Sequence, residues 1–450
     1  MDTAPAPFPS SRERLAGAVQ ESATVAEVRV GRNLLEDLPA FLRAHGADGS
    51  VCLFADGNTW KAAGERAAGI LDRAGWQCTP FILPGRPRVS PDRRTGDELR
   101  AFLAGREHYL VAVGSGVLND LAKYAAFQLE RPYAVIATAA SMDGYTSAGS
   151  PLSEDGFKIT LPCRPARAVL GDLGILAEAP AEMNGWGFGD LAGKLPAGAD
   201  WILADGLGVE AVDPIAWALV QEDLPRQLSR PAALATGDPE AVGELFCGLN
   251  LVGLAMERHG SSRPASGADH QIAHLWEMEG LSLGGEKVSH GACVSVATVA
   301  MLRLYRWWLA RDPREAPPTE RTTPPASAES EFALLRSLLP HPTIAARAER
   351  EFTPKLLSPG QREERLTLLR REGAALQGRV ADHLDRIADL PDRLARAGAP
   401  IRPDQIGIDG ERLRRSARAA RFLRSRYTLL DLLAETGQLD RAIDESLGDD

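Results

Sequence analysis

No run of about 18 apolar residues occurs in the chain, which excludes a membrane-crossing helix. Positive charge is in deficit. The 51 Lys and Arg against 61 Asp and Glu leave a formal net charge of -10, which argues against nucleic acid or an anionic membrane surface as the main partner. Cysteine is scarce too: Cys52, Cys78, Cys163, Cys247 and Cys293 are odd in number and lack C-x-x-C spacing. Reduced thiols in a cytoplasmic protein are therefore expected, not a disulfide framework. The opening MDTAPAPFPSSRERL has no apolar core of a secretory signal. Histidine is sparse, yet three of the eight fall in one short stretch.

What is present reads as an ordinary globular composition, and 450 residues predict two domains. TVAEVRVG, SVCLFADGNTW, CTPFILPG, HYLVAVGSG, PYAVIATAAS and RAVLGDLGIL read as strands, with helix-like segments such as LLEDLPAFLRAHG between them. That alternation predicts an α/β Rossmann-like domain with a parallel sheet over residues 1–180. Beyond Pro180 the periodicity is helical, predicting an all-α domain over 181–450 with a Pro-rich loop at 312–330.

The stretch SGADHQIAHLWEMEGLSLGGEKVSHG, residues 266–291, carries His270, His274 and His290. His270 and His274 stand four apart at helical spacing and share one face. That face offers a metal two imidazoles, or one imidazole with the second left for a substrate. Asp190, in GWGFGDLAGK, follows three glycines that are expected to break the chain just before a helix. It is a helix cap, or the oxygen that completes an oxygen–nitrogen–nitrogen set with His270 and His290, suited to a catalytic divalent ion. Gly114, Ser115 and Gly116 form a turn from a strand into the helix VLNDLAKYAAFQL. Such a turn presents free N–H groups to a pyrophosphate, although Asn119 stands where a third glycine is usual and an empty β–α turn looks the same. Thr138 to Ser141, Asp143 and Ser147 lie past the next strand, where open α/β sheets make ligand contacts; an Asp-Gly turn is the plainer account of Asp143. Asp56 follows an early strand, as an ordinary turn aspartate or as a ribose contact. Lys158 and Arg263 are candidates for a substrate anion by position and charge, solvation at the surface being the other role open to them.

GSGVLNDLAKY, TAASMDGYTSAGS, GFGDLAGK, SGADHQIAHLWEM and SHGA, in this order, resemble glycerol-1-phosphate dehydrogenases, the bacterial branch in particular. That family lies within the iron-containing alcohol dehydrogenase and dehydroquinate synthase-like superfamily. The similarity runs from about Val51 to Val296, and RSRYTLLDLLAETG extends it. It implies a Rossmann-like domain, an all-helical domain and a site in the cleft between them. It implies NAD, with NADP possible, at Gly116, Val117, Leu118, Asn119, Asp120, Thr138, Ala139, Ala140, Ser141 and Ser147, alongside Asp56, Gly114 and Ser115. Asp143, Asp190 and His274 then meet substrate, with Asp190 and His274 catalytic, and Asp190, His270 and His290 hold one divalent ion. That ion is zinc in archaeal relatives and nickel in the bacterial type. The expected reaction interconverts dihydroxyacetone phosphate and sn-glycerol 1-phosphate, in a homodimer or larger homo-oligomer. A polyol dehydrogenase or a sugar-phosphate cyclase-like enzyme of the same superfamily is the alternative. The 312–330 insert departs from the family pattern.

Overall fold

The strand-like runs do form one sheet, because Val, Leu, Ile and Ala in near-continuous series suit strands covered on both faces. In the computed structural model, which describes residues 10–154, 157–313 and 327–448 and excludes the side chains of Phe157 and Lys158, six parallel strands build it. They are β1 (Glu27–Gly31), β2 (Ser50–Asp56), β3 (Gln77–Leu83), β4 (Tyr109–Gly114), β5 (Tyr133–Ala137) and β8 (Ala168–Asp172), in the order β1-β8-β5-β4-β2-β3. β4, β5 and β8 are buried along their whole length, while the edge strands β1 and β3 are half-exposed. Leu53, Val111, Ile136 and Leu170 from four adjacent strands share a core with Leu38, Phe41 and Ile70 from the covering helices. A short antiparallel pair, β6 (Ser150–Glu154) and β7 (Phe157–Leu161), lies outside the main sheet and was not expected from the sequence. Among the described residues no helix is long and apolar enough to cross a membrane. Most of the Pro-rich 312–330 stretch lies outside the described residues.

The chain forms two compact units, and their boundary is not the change of element type near Pro180. The first unit holds Met1–Leu191 and takes back Glu222–Ser261. The reason is the helix Pro239–His259, whose glycines let it press on the sheet's own loops and helices. A Cβ on Gly243 would lie 2.9 Å from Leu173, and one on Gly253 would lie 2.2 Å from the Thr146 hydroxyl and 2.8 Å from the Asp143 carbonyl. Ser11 and Ser22 add hydrogen bonds to Glu244 and Glu257 on the same helix, at 2.7 and 2.6 Å.

The second unit, Ala192–Gln221 with Ser262–Ala395 and Ala399–Asp450, is helical apart from a two-stranded pair at Ser282–Leu283 and Glu286–Lys287. Its centre is Asp200, fully buried on the helix Lys194–Gly206. One carboxylate oxygen accepts from the Ala268 N–H (2.8 Å), and the other from the Leu429 N–H (2.8 Å) and the Tyr305 hydroxyl (2.6 Å). A carboxylate at a helix start is stabilised by the free amides and the helix dipole. Here it serves two helices at once, Ala268–Met278 and Leu429–Glu435.

His383, on the long helix Pro359–Asp385, is a buried histidine of this unit that lies outside the histidine-rich stretch. Its Nε2 lies 2.9 Å from the Leu195 carbonyl and Gly198 makes room for the ring, since a Cβ there would come within 2.6 Å of Nε2. Burial lowers its pKa to about 4, with Arg386 also pushing it down and the Leu195 carbonyl partly opposing. The folded value lies below the unfolded one, so the stability is fully present above about pH 6.5 and is lost as pH falls from there towards 4. The loss should be on the order of 3 kcal/mol. We expect the melting temperature of the wild type to fall more steeply between pH 7 and 4.5 than that of His383→Gln; parallel curves would show that His383 is not the group responsible.

Candidate active site

In the first unit, β2 is followed by a crossover to β3 on one side and β4 by a crossover to β5 on the other. The succession reverses between β2 and β4, which are paired from Val51↔Tyr109 to Phe54↔Ala112. Ligands of open α/β sheets bind at such a reversal, outside the carboxyl ends of the strands. Asp56 ends β2 there, and Gly114 ends β4. Ser115 leads into the helix Gly116–Gln128 without a side-chain cap, which leaves the helix start suited to an anion. A Cβ on Gly114 would sit 2.5 Å from Leu118, so glycine is needed for the strand to meet the helix.

Several side chains here are spent on holding this frame. Asp56 accepts from the Asn58 and Thr59 amides at 2.9 and 2.8 Å and caps the short turn that follows β2. Leu118 is buried. Asn119 is buried too, donating to the Gly144 carbonyl (3.1 Å) and accepting from the Tyr133 hydroxyl (3.0 Å). At these two positions only the backbone is left to meet a ligand. The loop that follows β5, with Thr138, Ala139, Ala140, Ser141, Asp143 and Ser147, is tied back by two residues the sequence did not single out. The Tyr145 hydroxyl lies 3.2 Å from the Gly114 carbonyl and 2.9 Å from that of Ala139. Lys123, fully buried, donates to the Gly144 and Gly149 carbonyls at 2.8 and 3.0 Å, and its ammonium lies 3.5 Å from Asp120. Lys123 reads as an ordinary residue of the helix Gly116–Gln128, and only the fold brings it to the loop in which Tyr145 lies.

Asp190 is not at a helix start. The helix Ala181–Ala192 runs through the three glycines, and Asp190 stands in its last turn, buried, accepting from the Asp143 N–H at 3.2 Å. The glycines do not break the helix, and Gly187 is a close-contact residue: a Cβ there would lie 1.8 Å from the Ala140 carbonyl oxygen.

In the second unit the three histidines do converge. Ring centroids are 6.3 Å apart for His270 and His274, 5.5 Å for His270 and His290, and 5.3 Å for His274 and His290. Helical spacing on Ala268–Met278 aligns the first two, and His290 opens the helix His290–Leu309. His270 Nδ1 is 2.8 Å from Asp269 Oδ2, and His290 Nδ1 is 2.5 Å from Glu277 Oε1. An ionised carboxylate only accepts, so each contact puts the ring proton on Nδ1 and leaves Nε2 with its lone pair. That is how metal-binding histidines are oriented by their neighbours. The donor set therefore fits a divalent ion. His274, Glu277 and His290 also bring ligand atoms within 4.8 Å of one another. Lys194, fully buried, places Nζ 3.3 Å from His270 Nε2.

Arg263 corrects an expectation of surface solvation. It is 1% exposed, donating to the Asp200 and Tyr427 carbonyls (3.1 and 3.2 Å) and paired with Glu210 at 3.1 Å. An arginine so engaged holds the fold. The Lys158 side chain lies outside the described residues.

A family profile described as iron-containing alcohol dehydrogenase matches residues 29–180. The chain is 34% identical to a glycerol-1-phosphate dehydrogenase [NAD(P)+] of Halalkalibacterium halodurans, over 62% of this chain and 70% of the relative. It is 29% identical to the enzyme of the same name from Bacillus velezensis, over 94% of both. Among solved structures it is similar to a probable glycerol dehydrogenase from Sinorhizobium meliloti 1021, with a TM-score of 0.58, 18% identity and coverage of 94% and 98% of the two chains. That last likeness concerns the fold.

Proposed function

The chain belongs to the glycerol-1-phosphate dehydrogenase family, and from that premise we propose how its residues carry out the reaction. The enzyme interconverts dihydroxyacetone phosphate and sn-glycerol 1-phosphate by hydride transfer with NAD(P) and depends on a divalent ion. The observation that carries the residue assignment is the pair of carboxylate-buttressed imidazoles, His270 and His290, beside His274.

In this reading Asp190, His270 and His290 each give the ion one ligand atom, and the ion is zinc or nickel. Asp190 is supported by its place four residues before Lys194, which meets His270. When bound, the ion draws charge from the substrate's C2 oxygen. The nicotinamide carries the hydride, and the chain supplies orientation and charge. Gly114 to Asp120, Thr138 to Ser141 and Ser147 take the cofactor, with Asp56 at the ribose through the carboxylate oxygen its turn leaves over. Asp143 and Asp190 orient the substrate, coupled through the hydrogen bond between them. His274 passes a proton between its ring and the C2 hydroxyl, a task an imidazole performs near neutral pH.

The test is NADH oxidation with dihydroxyacetone phosphate and dihydroxyacetone side by side. The phosphate supplies binding energy remote from the reacting carbon, so kcat/KM should favour the phosphorylated substrate by more than about tenfold, or about 1.4 kcal/mol of transition-state discrimination. A smaller ratio hands the site to a polyol dehydrogenase.

A further inference from the structure

We propose that Arg86 receives the 2′-phosphate of NADPH, and that through it this chain accepts both nicotinamide nucleotides at one site. The inference rests on the dehydrogenase reading above, which puts the adenosine ribose at Asp56. It adds the residue that meets the phosphorylated ribose, which no sequence motif supplies.

The loop that carries Arg86 is held on both sides. β3 ends beside the end of β2, the two strands pairing in register as far as Asp56↔Leu83. Two residues on, Gly85 presses on the turn that Asp56 caps. Asn58 Nδ2 donates to the Gly85 carbonyl at 2.8 Å, and a Cβ on Gly57 would stand 3.2 Å from the Gly85 nitrogen. A Cβ on Gly85 would in turn stand 3.2 Å from the Asn58 nitrogen, so two glycines make this approach possible. On the other side, Arg88 lays its guanidinium over the Trp186 ring, 5.1 Å from the centroid. Trp186 directly precedes Gly187, which abuts the Ala140 carbonyl. Arg86 stands between these two anchors, its Cα about 3.8 Å from that of Gly85. That places it at the carboxyl ends of the strands, next to the turn that follows β2, where an open α/β sheet takes the ribose.

Its charge is unengaged. Arg86 is exposed, and among the described residues its guanidinium has no hydrogen bond, ion pair or ring contact. The other arginines of this segment are committed: Arg88 to Trp186, Arg93 to Glu154, and Arg94 to Glu98. A planar guanidinium presents paired N–H donors that match the oxygens of a phosphate.

Charge decides between the two nucleotides. Asp56 Oδ1 accepts from both amides of its turn, and the carboxylate repels a phosphate at the 2′ position where it would bind a hydroxyl. In dinucleotide-binding folds a nearby arginine accommodates that phosphate. Asp56 and Arg86 therefore act in opposition, one favouring the plain ribose and the other the phosphorylated one, and neither nucleotide is shut out.

The experiment is a fluorescence titration of the full-length protein with NADH and with NADPH, for the wild type, Arg86→Gln, Arg86→Lys and Arg88→Gln. We expect the wild type to bind the two nucleotides with Kd values within about tenfold of each other. In Arg86→Gln the Kd for NADPH should rise by at least about tenfold, the scale of one charge-assisted contact, and that for NADH by less than about twofold. NADH binding thus reports that the variant is folded. Arg86→Lys keeps the charge and should stay within about threefold of the wild type for both nucleotides. Arg88→Gln should keep the wild-type ratio. An unaltered ratio in Arg86→Gln, an equal loss for both nucleotides, a lysine variant as weak towards NADPH as the glutamine variant, or a shift confined to Arg88→Gln each overturn the proposal. A wild type that binds NADH and not NADPH overturns it too and leaves the dehydrogenase reading standing. A wild type that binds neither overturns both.

Discussion

His290→Ala is expected to leave the chain folded and without its divalent ion, with turnover lowered by at least about a thousandfold, the scale seen when a preorganised electrostatic contact is removed. The ring offers Nε2 as a ligand because Glu277 engages Nδ1, and alanine removes that nitrogen. The fold should survive, since a catalytic ion is seldom the main source of stability in a chain of this size. His270→Ala should behave the same way. His274→Ala should not: assigned to substrate, it should keep the ion and lose rate or substrate affinity. Metal content and turnover measured on all three variants separate the cases. Full activity in metal-free protein sinks the mechanism, and metal loss in the His274 variant but not in the His270 variant shows the two roles interchanged.

A second large effect is expected from one added methyl group. In Gly187→Ala the new Cβ would stand 1.8 Å from the Ala140 carbonyl oxygen and 2.8 Å from its carbon. Those atoms are backbone, in a loop that Tyr145 holds by its hydroxyl, so they cannot rotate out of the way as a side chain would. The helix or the loop must move, at a cost of about 3 kcal/mol, the upper end for overpacking. Because the loop is the proposed cofactor contact, NADH affinity should fall with it. Urea unfolding and a fluorescence titration with NADH measure the two effects. Gly17→Ala is the control: nothing lies within 4 Å of a Cβ there, so its stability should hold or rise slightly. Equal stability of Gly187→Ala and wild type would show that the helix and loop do not meet as closely as the structure has them.

The sheet was legible in the sequence because buried parallel strands write themselves as short apolar runs, and VCLFA, YLVAVG and YAVIA need no partner to be recognised. The β6–β7 pair was passed over: FKITL does alternate apolar and polar residues, but it is only five residues long and its partner SPLSE carries a proline and little apolar content. The helix Pro239–His259 was recognised as a helix but given to the wrong neighbours. Its apolar residues say that it is buried and not where, and Gly243, Gly248 and Gly253, meeting Leu173, Gln227 and Thr146, hint at the close contacts. Of the site, the histidines were readable from their spacing. Asp269 and Glu277 were in plain view beside them, but their part depends on ring orientation, which spacing does not carry. Lys123, Lys194 and Tyr145 look like ordinary helix or loop residues until the fold closes around them.

Asp200 gives the chain an order of events. Its carboxylate joins the first amide of the histidine-bearing helix to the Leu429 amide, so the shared cap beneath that helix is complete only once the segment at Leu429 is in place. On the ribosome the tract containing His270, His274 and His290 emerges long before Leu429 does. Lasting capture of the proposed ion is then expected only after the segment at Leu429 has docked, and a chain cut before that point would carry the three histidines without the frame that aims them.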